Sequence, residues 1–263
     1  MKQFFSLAMS VMALLFVGCE PIAPKVIGVF SVSETKQVTF SPGNLQYHPA
    51  NNEWRFAENQ TDTIGDANSN ISSTYNGWLD LFGWSTGTTN FGVSTSTDND
   101  DSGSFVDWGT NKIGNDAPNT WRTLTRAEWF YVVFNRPNAS SLKGVAQVNG
   151  VNGMVFLPDN WTCPAGVTFK SGYHNDYAFA AGYYAAHQTF TAAEWSKLEA
   201  AGAVFLPAAG SRDGSTVRSV QFGGYYWSAT EDGICYYFYS GLESMSGYGC
   251  THGHSVRLVK DLQ

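Results

Sequence analysis

Asn119-Thr120-Trp121-Arg122-Thr123-Leu124-Thr125-Arg126-Ala127-Glu128-Trp129 carries the sharpest structural signal in the chain. Thr125 and Glu128 stand three apart, the spacing of a capping box. In that motif the Thr hydroxyl accepts from the Glu amide and the Glu carboxylate accepts from the Thr amide. Leu124 and Trp129 hold the two positions of a hydrophobic staple, so a helix is predicted to begin at Thr125. The string returns as Thr189-Phe190-Thr191-Ala192-Ala193-Glu194-Trp195. A second helix is therefore predicted to about Ala201, with Gly202 as its stop. Val155-Phe156-Leu157-Pro158 is likewise echoed by Val204-Phe205-Leu206-Pro207. The two echoes do not share one offset, so they are reused local solutions and not a solenoid.

Around these helices the chain is poor in helix-forming pattern. Of 263 residues only 14% are charged and 15% are aromatic, with 27 Gly, 9 Trp, 13 Tyr and 18 Phe. An average soluble chain is roughly 25% charged. This composition excludes a helical bundle, a coiled coil and a disordered chain, and the net charge of -7 excludes a general phosphate-backbone binder. Val26-Ile27-Gly28-Val29-Phe30 and Gln37-Val38-Thr39-Phe40 read as strands, with Ser41-Pro42-Gly43-Asn44 as a turn. Residues 57–120 are rich in Asn, Asp, Ser, Thr and Gly, yet Trp78, Leu81, Phe82, Trp84, Phe91, Phe105 and Trp108 run through them. Long ordered loops pinned to a core are expected there. The fold class is α+β: loop-rich, with two main helices and small antiparallel sheets.

Near the C-terminus three strands are expected, at about 234–239, 242–247 and 252–259. Alternation places Ile234, Tyr236 and Phe238 on one face of the first, and Cys235, Tyr237 and Tyr239 on the other. In the second, Leu242, Ser244 and Ser246 oppose Glu243 and Met245. Ser255-Val256-Arg257-Leu258-Val259 is expected to be a buried closing strand. Ser246-Gly247-Tyr248-Gly249-Cys250-Thr251-His252-Gly253-His254 has no apolar period and no charge. A surface chosen for contacts explains such a run better than propensity does. Phe40, Trp121, Trp129, Trp195 and Trp227 are assigned to the core.

At the N-terminus Lys2 precedes an apolar run from Phe4 to Val17, too short for a membrane span, which takes about 20 residues. It reads as an export signal. Phe16-Val17-Gly18-Cys19 resembles a lipobox, which implies cleavage before Cys19 and acylation of that residue; an ordinary secretion signal is the plainer alternative. Residues 1–18 are then signal peptide, 19–34 lipidated Cys, tether and first strand, and 35–263 a binding domain. Cys163, Cys235 and Cys250 remain, an odd number that allows one disulfide at most, and there is no Cys-x-x-Cys.

The opening stretch resembles the Trp-Arg-Leu-Pro-Thr-x-x-Glu-Trp signature of C-type lectin-like folds of the formylglycine-generating-enzyme type. Leu206-Pro207-Ala208-Ala209-Gly210-Ser211-Arg212-Asp213-Gly214, Tyr226-Trp227-Ser228-Ala229-Thr230-Glu231 and Ser255-Val256-Arg257-Leu258-Val259 are similar to the "major paralogous" lipoproteins of Bacteroides-like and Fibrobacter-like bacteria. The same ending resembles the variable proteins of diversity-generating retroelements. The resemblance spans about residues 35–260 and implies a lipid-anchored envelope protein, surface-exposed on the outer membrane. Such a protein would bind a protein or glycan through a diversified C-terminal face. The positions matching the variable pattern are Cys235, Tyr237, Tyr239, Leu242, Ser244, Ser246, Gly247, Tyr248, Gly249, Thr251 and His252. Ile234, Tyr236, Phe238, Met245 and Val256 would be scaffold, and His254 stands where the pattern has Phe.

Other chemistries find less in the sequence. Cys250, His252 and His254 alternate on one strand face and are chemically able to bind zinc or copper, but no fourth ligand is visible. Asp98-Asn99-Asp100-Asp101-Ser102-Gly103 opens like a calcium loop, yet Gly109 stands where Glu should close it. No Glu-Pro-Asn or Gln-Pro-Asp string is present. The reactive cysteine pair of formylglycine-generating enzymes lies close in sequence, unlike Cys235 and Cys250, and no hydrolase, phosphate-loop or dinucleotide motif occurs. No catalysis, cofactor, metal or nucleic-acid binding is expected. Two alternatives stay open: a structural envelope or pilus-tip subunit with a fixed partner, and a carbohydrate hydrolase using carboxylates such as Glu231, Asp232 and Glu243.

Overall fold

The computed structural model describes residues 26–86, 104–173, 182–230, 233–239, 241–247 and 252–262. The lipobox with Cys19, the Asp98–Gly103 loop, Glu231, Asp232, and residues 248–251 with Tyr248, Gly249, Cys250 and Thr251 lie outside the described residues.

Strands β1 (Phe30–Ser31) and β2 (Gln37–Phe40) pair antiparallel, Phe30 opposite Val38. The strand expected over 26–30 keeps only its last residue. Val26 instead donates its N–H to the carbonyl of Ala200, so this segment follows a helix end and joins no sheet. The predicted turn at 41–44 leads into β3 (Leu45–His48), which forms a hairpin with β4 (Glu53–Phe56).

Over its described residues the aromatic loop is pinned as expected, while Phe91 lies outside them. Leu81, Phe82, Trp84 and Trp108 are buried, with Phe105 packed against them. Its polar anchor is Asn68, whose carboxamide oxygen accepts from the N–H groups of Asp80 and Leu81 and whose Nδ2 donates to Asp80 at 2.7 Å. Asp80 is fully buried, and burial pushes its carboxyl up to about 6. The native state therefore holds this proton more tightly than the unfolded chain does. This group's contribution to stability is largest below about pH 4 and is lost as pH rises through 6. Raising a carboxyl from its ordinary value near 4 to about 6 is worth roughly 3 kcal/mol. Denaturant unfolding of wild type and Asp80→Asn at pH 4 and pH 7 should show that decline in wild type alone; parallel curves would refute it.

Both capping boxes form. Glu128 N donates to Thr125 Oγ1 at 3.2 Å and Thr125 N donates to Glu128 Oε2 at 2.9 Å, opening α1 (Arg126–Phe130), which continues as a π-helical turn over Tyr131–Asn135. Strands β5 (Lys143–Val148) and β6 (Val151–Phe156) follow, then α2 (Tyr183–His187), a single turn with no signal in the sequence, and β7 (Thr189–Phe190). The second box opens α3 (Ala192–Ala200), and Gly202 stops it at φ +93°. Strand β8 (Val204–Pro207) completes a four-stranded sheet ordered β7-β5-β6-β8. The sequence echo becomes physical here: Phe156 faces Val204 and Val155 faces Phe205 across the β6–β8 pair.

A small hairpin, β9 (Ser211–Asp213) with β10 (Thr216–Arg218), precedes the sheet of β11 (Gly223–Trp227), β12 (Ile234–Tyr239) and β13 (Leu242–Gly247). The last two match the expected bounds, whereas β11 is additional. The expected closing strand over 252–259 is corrected. It is buried, but its residues bridge one at a time to different elements: Gly253 to Arg212, His254 to Phe82 and Ser255 to Tyr226. Only at β14 (Val259–Asp261) does it enter a sheet, beside β2. The result is a mixed α+β architecture with few helices and several small sheets. Phe40, Trp129, Trp195 and Trp227 are buried as assigned; Trp121 is partly buried and donates to Asp116. Among the described residues no helix is long and apolar enough to cross a membrane.

Candidate ligand-contact face

Residues directly opposite one another in antiparallel strands share a sheet face. Gly223, Tyr225 and Trp227 of β11 lie opposite Tyr239, Tyr237 and Cys235 of β12, and these in turn lie opposite Leu242, Ser244 and Ser246 of β13. One face of the sheet therefore carries most of the C-terminal candidate residues, in the alternation read from sequence. The glycine pair at the start of β11 permits the ring packing. A Cβ on Gly223 would stand 2.6 Å from the Tyr239 ring, and one on Gly224 would stand 2.4 Å from the Phe238 ring on the opposite face.

The face is covered at one end and open at the other. Cys235 is fully buried among Trp227, Val256 and Leu258, and burial pushes its thiol pKa well up. Cys235 is thus corrected from contact residue to core, because the face on which alternation puts it is capped there by the 254–258 segment. Tyr237 is partly buried, its ring stacked 6.0 Å from that of Tyr225. Tyr239, Ser244 and Ser246 are half-buried, Gly247 is exposed, and Leu242 is 53% exposed. Phe222, 42% exposed, stands at the same end of the sheet.

Two histidines continue the aromatic row. His254 is wholly buried, its ring 5.2 Å from Tyr225 and 4.4 Å from Trp227, with the half-buried His252 ring 6.1 Å beyond. Burial, with His252 and Arg212 nearby, holds the His254 imidazole pKa down to about 3, so it is neutral at any physiological pH. Among the described residues no three His, Cys, Asp or Glu side chains gather around a point that could hold a metal ion.

The opposite face is core. Tyr236 stacks on Trp129 at 5.2 Å and 19°, and Phe238 and Met245 pack beside it. Glu243 shares this inner face, where Lys143 of β5 contacts one carboxylate oxygen and the Tyr236 hydroxyl donates to the other at 3.2 Å. Its carboxylate is therefore engaged beneath the sheet, away from the open face. Arg212 is also wholly buried, its guanidinium lying over Gly253, and burial lowers its pKa to about 10. Neither Tyr225 nor Phe222 is legible in the sequence as part of this face. The Gly-Gly-Tyr-Tyr-Trp run has no alternation to reveal which ring turns outward.

The strings that carry the family resemblance meet in space. Trp129 Nε1 donates to the carbonyl of Trp227 at 3.2 Å, and Ala229 N donates to the carbonyl of Leu124 at 2.9 Å. Tyr226 bridges Ser255, and Arg122 bridges Val259. Comparison of the chain with protein-family models, with curated protein sequences and with solved structures found no match.

Proposed function

We propose that this chain is a lipid-anchored binding protein of the bacterial envelope with a C-type lectin-like fold. Its contact surface is the open face of β11–β13, and its ligand is a protein or a glycan. The observation that carries this reading is the asymmetry of one sheet. Its inner face is sealed by Trp129 and Phe156, while its outer face runs from buried Trp227 to half-buried Tyr239 and exposed Leu242. Tyr suits such a surface, since it buries much area at small rotamer loss and retains a hydroxyl for hydrogen bonding. Recognition, without turnover, is the function.

The fold assignment is supported by the convergence of Leu124 and Trp129 with Ala229 and Trp227, and of Arg122 and Tyr226 with Val259 and Ser255, which joins three strings that lie far apart in sequence and carry the resemblance. Diversification by a retroelement is supported by the placement of Tyr237, Tyr239, Leu242, Ser244 and Ser246 on one face. It predicts a template repeat and a reverse transcriptase beside the gene, with differences confined to adenines of that template. A gene neighbourhood with neither removes the retroelement and leaves the binder.

Binding is tested by screening the purified full chain against immobilised glycans and envelope proteins. Tyr239→Ser should weaken capture of any ligand about tenfold, which is about 1.4 kcal/mol, with little change in Tm. Undiminished affinity in that variant would place the contact elsewhere. Hydrolysis of panel glycans by the wild-type protein would replace binding with catalysis.

A further inference from the structure

Beneath the open face, two side chains that could react are pressed together. Lys143 Nζ of β5 and Glu243 Oε1 of β13 are in direct contact, and their side chains are only 7% and 11% exposed. They stand 100 residues apart and belong to different sheets. Nζ is also fixed by the carbonyl of Val133 at 2.9 Å and lies 4.5 Å from the Phe134 ring centroid. The second carboxylate oxygen accepts from the Tyr236 hydroxyl at 3.2 Å. We propose that Lys143 and Glu243 condense to an intramolecular amide that staples the edge strand of the contact sheet to the central sheet.

The chemistry follows from burial. Removing both charges from water is costly, and proton transfer from the ammonium to the carboxylate cancels both at once. Desolvation lowers the basicity of Lys143. The products of that transfer are a free amine and a carboxylic acid, the two partners of condensation. Nζ then adds to Cδ of Glu243, and the C–N bond forms as the carbonyl π bond opens to an oxyanion. The Tyr236 hydroxyl, already bonded to Oε2, stabilises that charge. The amine gives up one proton, the acid's hydroxyl leaves with it as water, and the carbonyl is restored. One amine and one acid become one amide and one water, with no oxidant or co-reactant. Fixing both groups in contact supplies the high effective concentration that dilute amines and acids lack. No charged pair is left buried.

Tryptic mapping of the purified full chain reads the bond directly. Trypsin does not cut an acylated Lys143, and it passes Arg136 because Pro137 follows. The expected product is a branched species joining residues 127–170 to residues 219–257, lighter by one water than the two together. Fragmentation should place the junction at Lys143 and Glu243, and Lys143→Arg should return an unbranched 219–257 peptide. Complete cleavage after Lys143 in wild type, with 219–257 recovered at its full mass, would overturn the proposal. Since the wild-type map decides the matter, a variant that fails to fold leaves the result intact.

Discussion

Trp129→Ala is expected to lower the unfolding free energy by about 3–5 kcal/mol, the range for deleting a fully buried Trp. Trp129 is the first large core residue of α1, held in place by the Thr125–Glu128 box. It stacks on Tyr236 at 5.2 Å, reaches Phe40 at 5.9 Å, and donates its indole N–H to the Trp227 carbonyl. Truncation therefore opens a cavity behind the contact sheet and strips a buried carbonyl of its donor. Trp129→Phe keeps the ring contact but loses the donor, so it should cost clearly less. Phe130→Ala, one residue further on and 45% exposed, should stay within about 1 kcal/mol. Urea unfolding followed by circular dichroism separates the three. Equal losses at positions 129 and 130 would show that α1 does not seat the sheet.

Arg257→Ala is expected to have a comparable effect for a different reason. The Arg257 guanidinium is 1% exposed, and its hydrogen bonds run to neutral acceptors. Nη1 donates to Asn44 Oδ1 at 3.2 Å, while Nη2 donates to the Phe205 carbonyl at 2.8 Å and to Gln60 Oε1. Gln60 in turn donates to Glu199 Oε1 at 3.0 Å and accepts from Phe205 N at 2.8 Å. The charge is thus spread through one carboxamide to a carboxylate on α3, and desolvation lowers the Arg257 pKa to about 10. Removing the guanidinium takes the donor from three acceptors and leaves a void, a loss of about 3–5 kcal/mol. Because Gln60 serves the same network, Gln60→Ala and Arg257→Ala should be strongly non-additive. Additive losses in a double-mutant cycle would mean that the two residues act independently.

These two residues mark what the sequence makes legible and what it hides. Trp129 is legible as core because the capping box is a local device: residues three apart specify a helix start, and the staple names its inward side chain. The β12–β13 register is legible for the same reason, since alternation acts over a few residues. Arg257 can be read only as part of a buried strand, because Asn44, Gln60 and Phe205 are distant in the chain and their convergence is tertiary. Cys235 shows the same limit within the candidate site. A period of two identifies its face correctly, but whether that face is covered depends on the 254–258 segment. Strand β11 escapes a sequence reading because both of its faces are buried around Tyr225, Tyr226 and Trp227, which erases alternation. Alternation puts Glu243 on the correct side of β13, but its partner Lys143 lies 100 residues away.

The central claim, that the open end of β11–β13 is the ligand surface, is tested most directly by a pair of charge insertions at matched exposure. Leu242, at 53%, lies on that face, and Phe130, at 45%, lies on α1. Binding of a captured ligand to Leu242→Asp and Phe130→Asp should be measured by calorimetry alongside wild type. The expected result is an affinity at least about tenfold lower for Leu242→Asp and unchanged for Phe130→Asp. Undiminished binding by Leu242→Asp, with or without a loss in Phe130→Asp, would contradict it.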